Sequence, residues 1–138
     1  MSYSADFDKV LAIGRPPTIE RLFPNSKALI VSGKVIDRAM MKKGKAMTIA
    51  ANGRSSAVIR ATLSAAQRAN AAVIVEIAKS EADYCPINMW NLAQYVDAFC
   101  NELGITVPVA VHADRFGLKK AVEVEKARTD IPSMIDAG

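Results

Sequence analysis

Apolar positions in this chain keep two rhythms, one with a period of two and one of about 3.6, and from Ala46 onward the two alternate. A strand-like run at 47–52 leads into the turn Gly53-Arg54. Ser55 or Ser56 then caps a helix with Ile59, Leu63 and Ala66 on one stripe. The next strand, 72–78, is almost wholly apolar and is followed by a polar loop over 79–86. A helix carrying Leu92, Val96, Phe99 and Leu103 comes next, with Gly104 as its stop. The third strand, 107–114, is short, valine-rich and bounded by Gly104 and Gly117, which suits a buried strand better than a helix. A charged helix over about 118–127 and a last helical turn over 131–137, with Pro132 near its start, complete the pattern. Three strand–helix repeats predict an α/β fold with parallel strands and right-handed crossovers.

The preceding residues read as helices. The stretch 6–13 is short and amphipathic and is stopped by Gly14 and the Pro16-Pro17 pair. Thr18 caps a brief helix through Leu22 and Phe23. Ser26 caps a longer one, with Leu29, Ile30, Ile36, Met40 and Met41 on its apolar side and Gly44 ending it; Gly33 weakens its middle, so the pattern fits one helix or two pieces. The expected organisation is therefore N-terminal helices over 1–45 and strand–helix units over 46–138.

Each strand has one bulky face and one small or polar face. Met47 and Ile49, Val73, Val75 and Ile77, and Val107, Val109 and Val111 form the first, which the helices should cover. The second collects Asn52, Glu76, His112 and Asp114 near the C-terminal strand ends, where ligand chemistry gathers in parallel α/β proteins. One reading of Glu76 and His112 is that they merely satisfy each other or a neighbouring backbone. Recurrence of polar residues on three strands favours a site.

Composition narrows the class. The 138 residues carry a net charge of +4, densest at Lys42, Lys43 and Lys45, a cluster that suits a solvated helix C-terminus. Nucleic-acid binding calls for more basic residues interleaved with aromatics, and no such partner is expected. Cys85 and Cys100 are not in a CxxC pattern and read as free thiols of a reducing compartment. Asp6 and Asp8 lie where a signal peptide would be basic, and no apolar run reaches membrane-spanning length. A cytoplasmic protein with no membrane partner is expected.

Ala110-Val-His-Ala-Asp114 resembles the third-strand motif of the class II, zinc-dependent fructose- and tagatose-bisphosphate aldolases, whose strand ends His-x-Asp-His. Lys79-Ser80-Glu81 resembles the Ser-Glu pair after that family's second strand, and Ala51-Asn52 its first-strand asparagine region. The resemblance runs from about Ser26 to Gly138 and lies nearest the subgroup that includes the non-catalytic subunit of tagatose-bisphosphate aldolase. It implies a (β/α)8 barrel and retro-aldol cleavage of a ketose bisphosphate in carbohydrate metabolism, with zinc as Lewis acid. Asp114 would handle the proton of the reacting hydroxyl. Ser80 would hold a substrate phosphate, with Asn52, Glu76 and Arg115 also at the substrate.

One departure changes the expectation. Arg115 stands where the family has its zinc-ligating second histidine, and a guanidinium cannot ligate a metal. His112, the chain's one histidine, is the remaining imidazole candidate for a metal, and this chain alone is expected to bind no zinc. A closed barrel takes about 250 residues. The chain thus reads as an incomplete and inactive N-terminal portion of such an enzyme. The alternative is a non-catalytic sugar-phosphate-binding or aldolase-partner subunit of the same fold, which Arg115 as a phosphate binder favours. A three-strand flavodoxin-like domain lacks the Gly-rich phosphate loop it would need. Open sheet edges at 107–114 and 47–52 predict self-association unless the N-terminal helices fold across the open face.

Overall fold

A computed structural model describes residues 5–138. Its elements are α1 (Ala5–Gly14), α2 (Pro17–Leu22), α3 (Gly33–Lys43), β1 (Ala50–Asn52), α4 (Ser56–Ala69), β2 (Val73–Ala78), α5 (Leu92–Leu103), β3 (Val109–Asp114) and α6 (Ala121–Asp136). The strands form one parallel sheet in the order β1-β2-β3, as the alternating pattern predicts.

Local chemistry accounts for several boundaries. The Ser55 side chain accepts the Val58 N–H at 3.4 Å and opens α4. Asn70 closes it in the left-handed conformation (φ 49°), and Gly104 (φ 64°) closes α5 likewise. Gly53 has a packing reason. A Cβ there would lie 3.0 Å from Ile59 Cγ1 and 3.1 Å from Val75 Cγ1, while its N–H donates to the Glu76 carbonyl at 2.7 Å.

β2 is the spine of the sheet. Val73, Val75 and Ile77 are buried against Ile59 and Leu63 of α4 and Val96 and Cys100 of α5, forming the larger core with Val109. The opposite face carries a second, smaller core. There Ile74 and Ala110 pack with Leu11 of α1, Ile36 of α3, and Leu29 and Val31. Helices thus cover both faces at the N-terminal half of the strands, as parallel strands require.

Three expectations need correcting. The first strand is confined to Ala50–Asn52, and Met47 and Ile49 are 89% and 69% exposed instead of packed beneath helices. Nothing bulky lies over the lead-in to β1, so its apolar rhythm buries nothing. The expected turn at 131–137 is no separate piece: α6 runs unbroken through Pro132. The third correction is the largest. Residues 26–31 do not begin a helix, and only Gly33–Lys43 is helical.

The cause is tertiary. Ser26 does not cap a helix; its hydroxyl donates to Asp97 Oδ1 of α5 at 2.5 Å and accepts the Ala28 N–H at 2.9 Å. The Lys27 N–H donates to Asn101 Oδ1 at 2.8 Å. Arg15 reaches the carbonyls of Ile19, Phe23 and Ser26 and ties the same corner together. Held extended, the chain pairs in parallel with β3: Val109 N–H donates to Leu29 O at 3.0 Å, and Val31 N–H to Val109 O at 2.9 Å. The edge of β3 expected to lie open is covered at Val109 by the chain's own N-terminal region. No described helix is long and apolar enough to cross a membrane.

Val31→Pro removes the N–H that satisfies Val109 O. Leaving that buried carbonyl unpaired costs on the order of 1–3 kcal/mol. Urea unfolding should register the loss, and sedimentation over a concentration series should show the variant associating more than wild type as the β3 edge is freed. A variant as stable and as monomeric as wild type would show that the bridge does not protect the edge.

Candidate functional site

Register brings the polar residues together. Asn52 lies opposite Glu76, Glu76 opposite His112, and Ala78 opposite Asp114, so three strands contribute one continuous row near their C-terminal ends. His112 Nδ1 is 2.9 Å from Glu76 Oε2, with the His112 side chain 53% exposed and that of Glu76 15% exposed. An ionised carboxylate only accepts, so Nδ1 carries the hydrogen of this contact. The expected mutual satisfaction of these two side chains is present. One atom each from Glu76, His112 and Asp114 also lies within 4.8 Å of the others.

Asn52 is fixed from the other side. Its Nδ2 donates to Glu81 Oε2 at 2.5 Å, which settles the amide orientation because the carboxylate cannot donate. Its Oδ1 is buried and has no partner among the described residues. Glu81 itself is buried in the turn after β2, ion-paired with Arg54 and approached by the Ala78 N–H at 3.4 Å. The hydrogen bond from Asn52, helped by Arg54 and that N–H, holds the Glu81 carboxyl below the usual carboxylate range against the opposing effect of burial.

Arg115 follows at the end of β3 with φ of 52°, a left-handed conformation uncommon outside glycine and asparagine. Its Nε lies 3.2 Å from Asp114 Oδ2, and its side chain is 79% exposed. Lys79 donates its backbone N–H to Asp114 O at 3.0 Å and places Nζ 4.8 Å over the Phe116 ring. Loop ends after β2 and β3 are therefore stitched to each other. Ser80 is exposed in the turn beyond β2 and makes no hydrogen bond to the row.

Asn52, Glu76, His112, Asp114 and Arg115 thus adjoin one another, whereas Ser80 stands apart. Glu81 and Arg54 are the contributors that strand patterning missed. A carboxylate in a polar loop gives no periodic signal, and the Lys79-Ser80-Glu81 motif was its one trace. A cavity of about 600 Å³ opens beside β3, lined by Ile19, Met89, Val111, Phe116, Ile131 and Met134 among others. His112 is the one member of the row that reaches it.

Glu81 gives a pH signature. A carboxyl held below its ordinary value contributes stability that is present above about pH 4.3, the unfolded value, and is lost as pH falls through the folded one. Glu81→Gln should therefore be less stable than wild type at pH 7 and lose less on acidification. Thermal melts between neutral pH and pH 3 test this. Parallel melting curves for the two proteins would show that the Asn52–Glu81–Arg54 cluster adds no pH-dependent stability.

No curated protein matches the chain. The family model described as fructose-bisphosphate aldolase class-II matches residues 33–136, a span that takes in α3, all three strands and the whole polar row. That span is most of the chain, and its parallel strand–helix order agrees with the partial barrel units such a fold contains. The chain belongs to the class II fructose-bisphosphate aldolase family.

Proposed function

We propose that this chain contributes the first three strand–helix units of a (β/α)8 barrel for retro-aldol cleavage of a ketose bisphosphate, in the cytoplasm and near the tagatose-bisphosphate subgroup. On this reading 1–45 form a separate N-terminal region and 46–138 the barrel units. The observation that carries it is the polar row Asn52–Glu76–His112, with Asp114 beyond it, at the C-terminal ends of parallel strands inside the family match.

The roles follow from position and chemistry. Asp114, about one-quarter exposed and beside His112, is the group assigned to the proton of the reacting hydroxyl. Asn52, its amide pinned by Glu81, is the substrate-side residue at the end of β1. Glu76 orients His112, Arg115 meets the negative end of the substrate, and Ser80 in the turn offers a hydroxyl to phosphate. A zinc held by several imidazoles does not fit these residues: His112 is the one histidine, and the position after Asp114 is a guanidinium.

Arg115 favours a second reading. Its exposed guanidinium suits phosphate binding without metal charge, as in a non-catalytic sugar-phosphate-binding or aldolase-partner subunit.

Both readings predict binding of a sugar phosphate by this polypeptide, and neither predicts turnover by it alone, since three strands supply one wall of a barrel site. Calorimetric titration with fructose bisphosphate should show weak binding that Arg115→Ala reduces by about tenfold, the loss of one charge-assisted contact. Cleavage assays with added zinc, cobalt or manganese should give no product. Metal-dependent turnover abolished by EDTA and by Asp114→Ala would overturn the incomplete-site reading. Absence of any sugar-phosphate binding would overturn both.

A further inference from the structure

We propose that two copies of this chain associate head to tail: the free half of β3 in one copy pairs in parallel with β1 of the other, and Ile49 of the second copy enters the apolar cavity beside β3. The inference needs no sugar phosphate, so it stands or falls apart from the aldol reading.

Backbone direction shows which groups lack partners. In β3 the carbonyls of Pro108 and Asp114 accept the N–H groups of Val73 and Lys79, so alternate residues turn their backbone toward β2. Val109 turns outward, where Leu29 and Val31 satisfy it, and the covering chain then leaves into α3 at Gly33. Val111 and Ala113 also turn outward, and no described residue takes up their N–H or carbonyl groups. At the other edge of the sheet, the Ile49 carbonyl and the Gly53 N–H bond to β2, which leaves Ala50 and Asn52 facing out from β1. Open edges of this kind are templates for another strand.

Side chains identify the occupant. The cavity of about 600 Å³ is lined by Val111 and by Met89 and Leu92 of the larger core, so it opens on the face of β3 that Val111 occupies. Ala51 is the register partner of Val75, and Val75 that of Val111, so Ile49, two residues before Ala51, belongs to the same face. Ile49 and Met47 are large apolar side chains, 69% and 89% exposed, on an open edge of the chain's own sheet.

With Ile49 of one copy opposite Val111 of the other, the bonding pattern is complete. Val111 is satisfied by Thr48 and Ala50, and Ala113 by Ala50 and Asn52. Residues 46 and 47 lie in no helix or strand, so the chain before Thr48 can bend clear of Val31. The same register sets Asn52 of the second copy opposite Asp114 and carries the polar row across the interface. The contact is smaller than the roughly 1,200 Å² of a stable complex, so association is weak and concentration-dependent. It also uses different surfaces on the two copies.

Sedimentation of the full chain over a concentration series, with two surface variants, is the test. Wild type should gain mass with concentration. Ile49→Lys spoils the β1 edge, and Ala113→Pro removes an outward N–H of β3 without touching the β2 ladder. Both residues are exposed, so both variants should keep the wild-type circular dichroism. Each alone should associate about tenfold more weakly than wild type, the cost of a buried group left without its partner. Because each variant keeps the edge that the other has lost, an equimolar mixture should form a one-to-one complex that grows no further. Wild type that stays monomeric throughout, variants that associate as wild type does, or a mixture that stays monomeric would each overturn the proposal.

Discussion

Everything chemical in this molecule depends on the register of β2 between its two neighbours. Parallel ladders on both sides fix Asn52 opposite Glu76 and Glu76 opposite His112. A slip of one residue would turn these side chains toward α4 and α5 and push Val75 and Ile77 the other way. That slip is opposed by the larger core, in which Val75 and Ile77 are fully buried. Hydrophobic burial on one face of the sheet therefore sets the polar geometry on the other.

The polar row has its own energetic problem, since carboxylates in a sheaf of strands lose hydration. The structure meets it with paired contacts. Glu76 has the His112 imidazole, Asp114 has Arg115, and Glu81 has Asn52 and Arg54. Partner strength follows burial: the most buried carboxylate, Glu81, has the most donors. Glu76 and Asp114, closer to solvent, have fewer and so keep acceptor capacity for a ligand.

Coverage of the sheet is uneven along the strands. Toward their N-terminal ends, α1, α3 and the extended segment at 26–31 complete the second face and bridge the β3 edge at Val109. Toward the C-terminal ends that cover stops, and His112 and Ala113 are exposed beside the 600 Å³ cavity. The same short pairing that shields one half of β3 thus leaves the functional half accessible.

Residue pattern alone determined the three strand–helix units, their parallel arrangement and which residues share the polar face, because side-chain alternation is a local property of each strand. Four of the row's members, Asn52, Glu76, His112 and Asp114, were legible that way, and Arg115 by its place after Asp114. Tertiary structure decided what local pattern cannot encode. Leu29, Ile30 and Val31 are apolar in either a helix or a strand, and the choice fell to strand because Asp97 and Asn101 of α5 hold Ser26 and Lys27 extended. Glu81 became part of the site because the turn after β2 folds back over the end of β1, a contact spanning 29 residues of chain. Met47 and Ile49 alternate like strand residues yet stay exposed, for periodicity says which face a side chain takes and only packing says whether anything covers it.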